Sequence, residues 1–282
     1  MLSAALAVVA VVASCLIGSS FSTRSDGYTE PVDPSGNPIQ VDRQVEAYDK
    51  ISFRTNGQLT LNQGRSTGVV SMNVDSAWEP YVETVVEDRR LVIRYKKPFY
   101  AKCFGKGKLN TESCMSDVSI TTYQLVDVDL SGPGSILMGT GPFRSNKLSL
   151  NVAGPGDLNL NPEVSGTMTV TFAGPGKIRL SGSAHTAVFD VEAGTVLAKD
   201  FVTDDTQLTA DGPASLHVHA TKSLTGTLNG PSKVVYCGSP SKVDVKETEP
   251  MLSSVRSASE DAKKSANLPG IPDWLRMPNF KL

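Results

Sequence analysis

The chain lacks a surplus of either charge. Lys and Arg number 27, Asp and Glu 29, and the net charge over 282 residues is −2. Without a one-signed field it has no electrostatic grip on a polyanion, which excludes dedicated nucleic-acid binding. Aromatic residues make up 6% of the chain and there are only 3 His, thin material for stacking platforms or a metal centre. The one long apolar run, Leu2 to Ile17, falls short of the roughly 20 residues that a membrane helix needs. The 24 Gly and 17 Pro, roughly 15% together against an average near 12%, exclude collagen-like and low-complexity classes and favour a turn-rich architecture. The apolar content, 39% with Tyr included, is ordinary for a globular chain, so disorder is not its main state.

What is present begins with the amino end. A short aliphatic run suits the h-region of a secretory signal, read here as residues 1–14. Val12-Ala13-Ser14-Cys15 resembles a bacterial lipobox, which makes Cys15 the candidate lipidation site, although the first side-chain charge comes only at Arg24. Residues 15–44 are turn-forming and mostly polar, and read as a flexible tether.

Self-similarity carries the body of the chain. Asp127-Val-Asp-Leu-Ser-Gly132-Pro133-Gly134-Ser-Ile136 recurs as Ser149 to Leu158 around Gly154-Pro155-Gly156, and as Thr169 to Ile178 around Gly174-Pro175-Gly176. Weaker copies surround Gly212 and Gly230. A further copy fits between them if Ala193 takes the place of the first Gly, with Phe189 and Val191 before it and Leu197 after it in phase. Copies some twenty residues apart mean a solenoid. Apolar side chains stand four and two residues before the turn and four after it, the period of half-buried strands. Each repeat thus reads as strand, tight turn, strand and a looser return. In Gly-Pro-Gly, Pro presets the second turn position and the next Gly is expected to take the φ > 0 of a type II turn; Ala214 and Ser232, lacking that freedom, imply type I or relaxed turns. Five inward side chains at about 2 kcal/mol each cannot offset roughly 20 kcal/mol of backbone ordering, so one coil cannot fold alone and coils must stack. The fold class is all-β, a parallel β-helix over residues 45–247. Less regular strands from Tyr48 to Tyr95 form early coils and the amino cap. Residues 248–282 read as a tail, with a helix over Ser253–Asn267 and an apolar end suited to capping.

These repeats, with Tyr48-Asp-Lys-Ile-Ser-Phe, Leu91-Val-Ile-Arg-Tyr and a Tyr-x-Gly-x-Pro segment at Tyr236, Gly238 and Pro240, resemble the putative auto-transporter adhesin, head GIN-domain family of bacterial envelope proteins. The resemblance implies a right-handed β-helix similar to that of pectate lyases, on exported proteins or lipoproteins, with adhesion as the role and no catalytic residues to carry over. Family members typically have Gly-Ser-Gly where this chain has Gly-Pro-Gly.

Candidate chemistry is sparse. Three residues before each turn stand Asp129, Asn151, Thr171, Asp190, Thr209 and Thr227, an outward polar row that could hydrogen-bond glycan hydroxyls or remain a solvated sheet face. Asp200, His219 and Cys237 fall in one column of successive coils, an acid, base and thiol without a recognisable oxyanion site. His217 and His219 share a strand face and are weak metal candidates with no evident third ligand. The Lys-rich insertion 96–114 reads as an exposed loop that Cys103 and Cys114 would close as a disulfide in an oxidising compartment. No cofactor motif is present. The leading function is a non-enzymatic exported or envelope protein presenting a β-helical surface, with a surface glycan or matrix protein as partner and contact with the membrane only through a lipid anchor. The alternative is a polysaccharide-active enzyme, for which the adjacent pair Asp204-Asp205 is the carboxylate candidate, with no basic partner at a predictable position.

Overall fold

The computed structural model describes residues 32–65, 68–96, 104–105, 108–109, 116–248 and 254–259. Its first strands are β1 (Pro38–Gln44), β2 (Lys50–Phe53), β3 (Gly57–Gln63), β4 (Val69–Asp75), β5 (Val82–Glu87) and β6 (Arg90–Tyr95). A two-stranded ribbon, β7 (Phe104–Gly105) and β8 (Lys108–Leu109), interrupts the series inside the Lys-rich insertion. There follow β9 (Ser116–Thr122), β10 (Asp127–Leu130), β11 (Ser135–Met138), β12 (Phe143–Val152) and β13 (Asp157–Leu160). The ladder then runs through a continuous extended stretch, β14 (Pro162–Ala210), which winds through several coils, and through β15 (Ala214–Leu228), β16 (Lys233–Cys237), β17 (Lys242–Glu247) and β18 (Ser254–Ser257).

Stacking is parallel and in register, as the repeats require. Val128 lies beside Leu150, which lies beside Val170; Leu130, Val152 and Phe172 form the next row, and all six are buried. Across the corner, Ile136, Leu158 and Ile178 stack likewise. The core is one column of aliphatic and Phe side chains running through the coils. Its alternation with outward polar residues is why these segments cannot slip by one residue without exposing every core side chain.

The amino end is built differently. β4 pairs antiparallel with β9, β1 pairs antiparallel with β4, and β5 pairs antiparallel with β6. These strands close the edge that a parallel solenoid would otherwise leave open. Part of the expected tether is therefore a strand: Ile39 and Val41 oppose Val74 and Met72. Asp75 fixes the segment before it, accepting from the Ser35 and Gly36 amides at 3.0 and 2.8 Å and from Ser35 Oγ at 2.8 Å.

Chain order and coil order disagree once. β2 lies between β6 and β10, and β3 between β9 and β11. After Gln63 the chain turns back into β4, so this coil has no return path of its own. The segment 123–126 crosses it instead, carrying the chain from β9 to β10.

Three local expectations are corrected. The second glycines of the Gly-Pro-Gly turns, Gly134, Gly156 and Gly176, do not have positive φ. They are required by contact between coils, since a Cβ on Gly176 would lie 2.1 Å from the Gly156 carbonyl oxygen and one on Gly156 2.3 Å from that of Gly134. Where Ala214 and Ser232 replace such a glycine, their amides bond back to the Gly212 and Gly230 carbonyls at 2.7 Å, closing an inverse γ-turn about the intervening Pro. The second correction concerns Leu197. Val196 pairs with Leu216, and Val196 and Ala198 are buried while Leu197 is half-buried, because this corner is one residue shorter and turns on Gly194 at φ +98. The third is at the carboxyl end, where Ser254–Ser257 is a strand on β16, its Val255 stacking beside Val234 and extending the ladder past residue 247; of the expected helix only residues 258–259 are helical, and Ser253 and 260–267 lie outside the described residues.

Candidate functional site

The polar row is real as geometry. Asp129, Asn151 and Thr171 stand in register on neighbouring coils, as do Thr209 and Thr227. Ser52 extends the row on one side and Lys246 on the other. Asp190 is exposed between buried Phe189 and Val191, so it too points outward.

The row is not uniform. At its amino-terminal end the carboxylates are engaged within the protein: Arg90 donates to Asp127 at 2.6 Å, Ser52 Oγ to Asp129 at 2.5 Å, and Arg54 Nε to Ser52 Oγ at 2.8 Å. Asn151 leans on Asp127 at 3.4 Å. This network fully buries Ser52. Beyond it Thr171, Asp190, Thr209 and Thr227 present hydroxyl and carboxylate oxygens to solvent, on a backbone held by ladder bonds on both sides. That surface can hydrogen-bond a ligand lying along it, but it has no hollow in which to enclose one.

The column of Asp200, His219 and Cys237 is only partly assembled. His219 pairs with Cys237 on one side, but its other neighbour is Val202, not Asp200. Its Nδ1 lies 3.1 Å from the Lys199 carbonyl oxygen, and Asp200 is exposed beside Lys199. The register shifts between Leu197 and Val202, and this bulge moves the acid out of line. His217 pairs with Leu197 and Val235. Among the described residues no three His, Cys, Asp or Glu side chains are grouped to hold a metal. Cys15, Cys103 and Cys114 lie outside the described residues.

Asp204 does have basic partners, contrary to the sequence reading. Lys222 Nζ donates to it at 2.9 Å and Thr221 Oγ1 at 3.0 Å, and His185 Nδ1 lies 3.0 Å away. The bond from Lys222, helped by Thr221 and His185, holds the Asp204 carboxyl below the usual carboxylate range. Ser223 Oγ donates to Asp205 at 2.6 Å. These partners come from the coils before and after, one repeat away in sequence. Repeat spacing was the available signal, blurred by return loops of unequal length. Lys222, Thr221 and His185 reach the half-buried Asp204 carboxylate from neighbouring coils, so the cluster ties coils together.

Comparison with known proteins bears on the whole β-helix. Residues 47–240 match the family described as putative auto-transporter adhesin, head GIN domain. No curated protein matches the chain. Among solved structures, a putative adhesin from Bacteroides fragilis superposes with a TM-score of 0.69 at 17% identity, covering 80% of this chain and 99% of its own. A putative lipid binding protein from Parabacteroides distasonis gives 0.61 at 19% identity, covering 81% and 99%. A putative adhesin from Parabacteroides merdae gives 0.59 at 18%, again covering 81% and 99%. At these identities the likeness is one of fold.

Proposed function

The chain belongs to the putative auto-transporter adhesin, head GIN domain family, and on that premise we propose that it is a non-enzymatic exported protein of the cell envelope whose β-helix is a surface for adhesion or scaffolding. The observation that carries this reading is the register that stacks Asn151 on Thr171 and Thr209 on Thr227. Rows of hydrogen-bonding groups about 4.8 Å apart, on strands that cannot rearrange, suit an extended partner. Export by a signal over residues 1–14, with acylation of Cys15, completes the proposal, and mass spectrometry of the mature amino terminus tests that part.

The test of function is retention of the mature full-length protein on a panel of surface glycans and matrix proteins. Binding is expected to at least one of them, without turnover. Retention on none, together with degradation of a polysaccharide that Asp204→Asn abolishes, would replace this reading with the enzymatic one.

A further inference from the structure

The crossover described above leaves a mark on the surface. Where the coil of β2 and β3 has no return path, an open groove of about 610 Å³ lies between the crossing segment and the returns of the next coils. This is within the usual range of small-ligand sites, roughly 300 to 1,000 Å³. At its edge stands Tyr123, 66% exposed and the most exposed large apolar side chain among the described residues. In a chain with 6% aromatic residues, a ring left in water beside a hollow is uncommon.

Most of the residues that line the groove are polar. Gln63 ties its two sides together, with Nε2 donating to the carbonyls of Tyr123 at 3.1 Å and Arg144 at 2.9 Å while Oε1 accepts from the Arg144 amide at 2.8 Å. Arg144 Nε donates to Glu163 Oε2 at 2.8 Å, which leaves the terminal guanidinium nitrogens and the other carboxylate oxygen for a ligand. Ser165 Oγ donates to Asn146 Oδ1 at 3.1 Å, leaving the Asn146 amide group as a donor. One cation paired with one anion gives the lining no net charge, so neither a cation nor an anion is favoured. A flat ring next to planar groups that both donate and accept matches a molecule with an apolar C–H face and a rim of hydroxyls.

We propose that this groove is a saccharide subsite, in which Tyr123 is the platform beneath a sugar ring of a neutral glycan and Arg144, Glu163 and Asn146 bind its hydroxyls. The proposal rests on the adhesion reading, names its ligand class, and places the contact on the return side of the coils, away from the polar row. The test is an array of neutral oligosaccharides of glucose, mannose, galactose and N-acetylglucosamine, with heparin and matrix proteins beside them, probed with the mature protein. A neutral oligosaccharide is expected to bind with little dependence on salt. Tyr123→Ala should weaken it at least tenfold, Tyr123→Phe should preserve it, and Arg144→Ala should weaken it. Thermal unfolding of the Tyr123 variants should match the parent, since the ring is outside the core. Neutral-glycan binding that survives Tyr123→Ala would overturn the subsite. So would retention on matrix protein or heparin alone, with the adhesion reading intact; retention on nothing would overturn both.

Discussion

Asp75 is a residue whose loss should be felt well beyond its own position. It accepts three bonds from Ser35 and Gly36 and a fourth from the Ala77 amide at 2.8 Å. Burial alone would raise its pKa, but the bonds from Ser35, Ala77 and Gly36 outweigh that and hold the carboxyl below its ordinary value. A carboxyl depressed in the folded state contributes fully above its unfolded pKa, about 3.9, and loses that contribution as pH falls through the folded value. Asp204, lowered by Lys222, acts in the same direction. Thermal stability is thus expected to owe nothing variable to these two groups between pH 7 and pH 5, and to fall below about pH 4; Asp75→Asn should flatten that fall and cost about 1 to 3 kcal/mol at neutral pH, read by urea unfolding. Gly176 offers a second test. Because its hydrogen faces the Gly156 carbonyl, Gly176→Ala should cost about 1 to 3 kcal/mol by displacing one coil from the next, again read by urea unfolding.

At the scale of the element, the sequence was most legible where turns repeat. The inward positions around Gly132, Gly154 and Gly174 follow from alternation alone and are buried as expected. Leu197 was misassigned because the corner before it is one residue shorter, and shortening by one reverses the phase of an alternating strand. A turn of the usual length counted from Ala193 brings Leu197 into phase, but the shorter corner at Gly194 puts Val196 there instead. Val196→Asp should therefore abolish folding by placing an unpaired charge in the core, whereas Leu197→Asp should leave a soluble, folded protein, compared by circular dichroism and gel filtration. β1 escaped detection for another reason: its partner, β4, is distant in sequence, and its short apolar alternation sits among turn-forming residues. Removing residues 32–44 should uncover the outer edge of β4 and give aggregation, measured by light scattering. The groove beside Tyr123 was illegible for a related reason, since it arises from a crossover between coils and has no motif of its own.

The molecule as a whole is a stack in which most coils touch only their neighbours, so stability is a sum of coils and interfaces. Phe172 is fully buried in the middle of the stack, and Phe172→Ala should cost about 3 to 5 kcal/mol in a urea titration. The crossover makes the amino end an exception to this nearest-neighbour order. Val128 finds its next partner at Leu150, one repeat on, but Ile51 is flanked by Leu91 and Val128. As the chain leaves the ribosome amino end first, the strand bearing Ile51 emerges early and has neither flank until much later residues have followed. The later coils, in contrast, can each be laid on the one before as soon as they appear. One of the first strands to be made thus stays incomplete until Leu130 has followed, and for that interval the β2 strand is a waiting edge, open to capture by a chaperone or by another nascent chain.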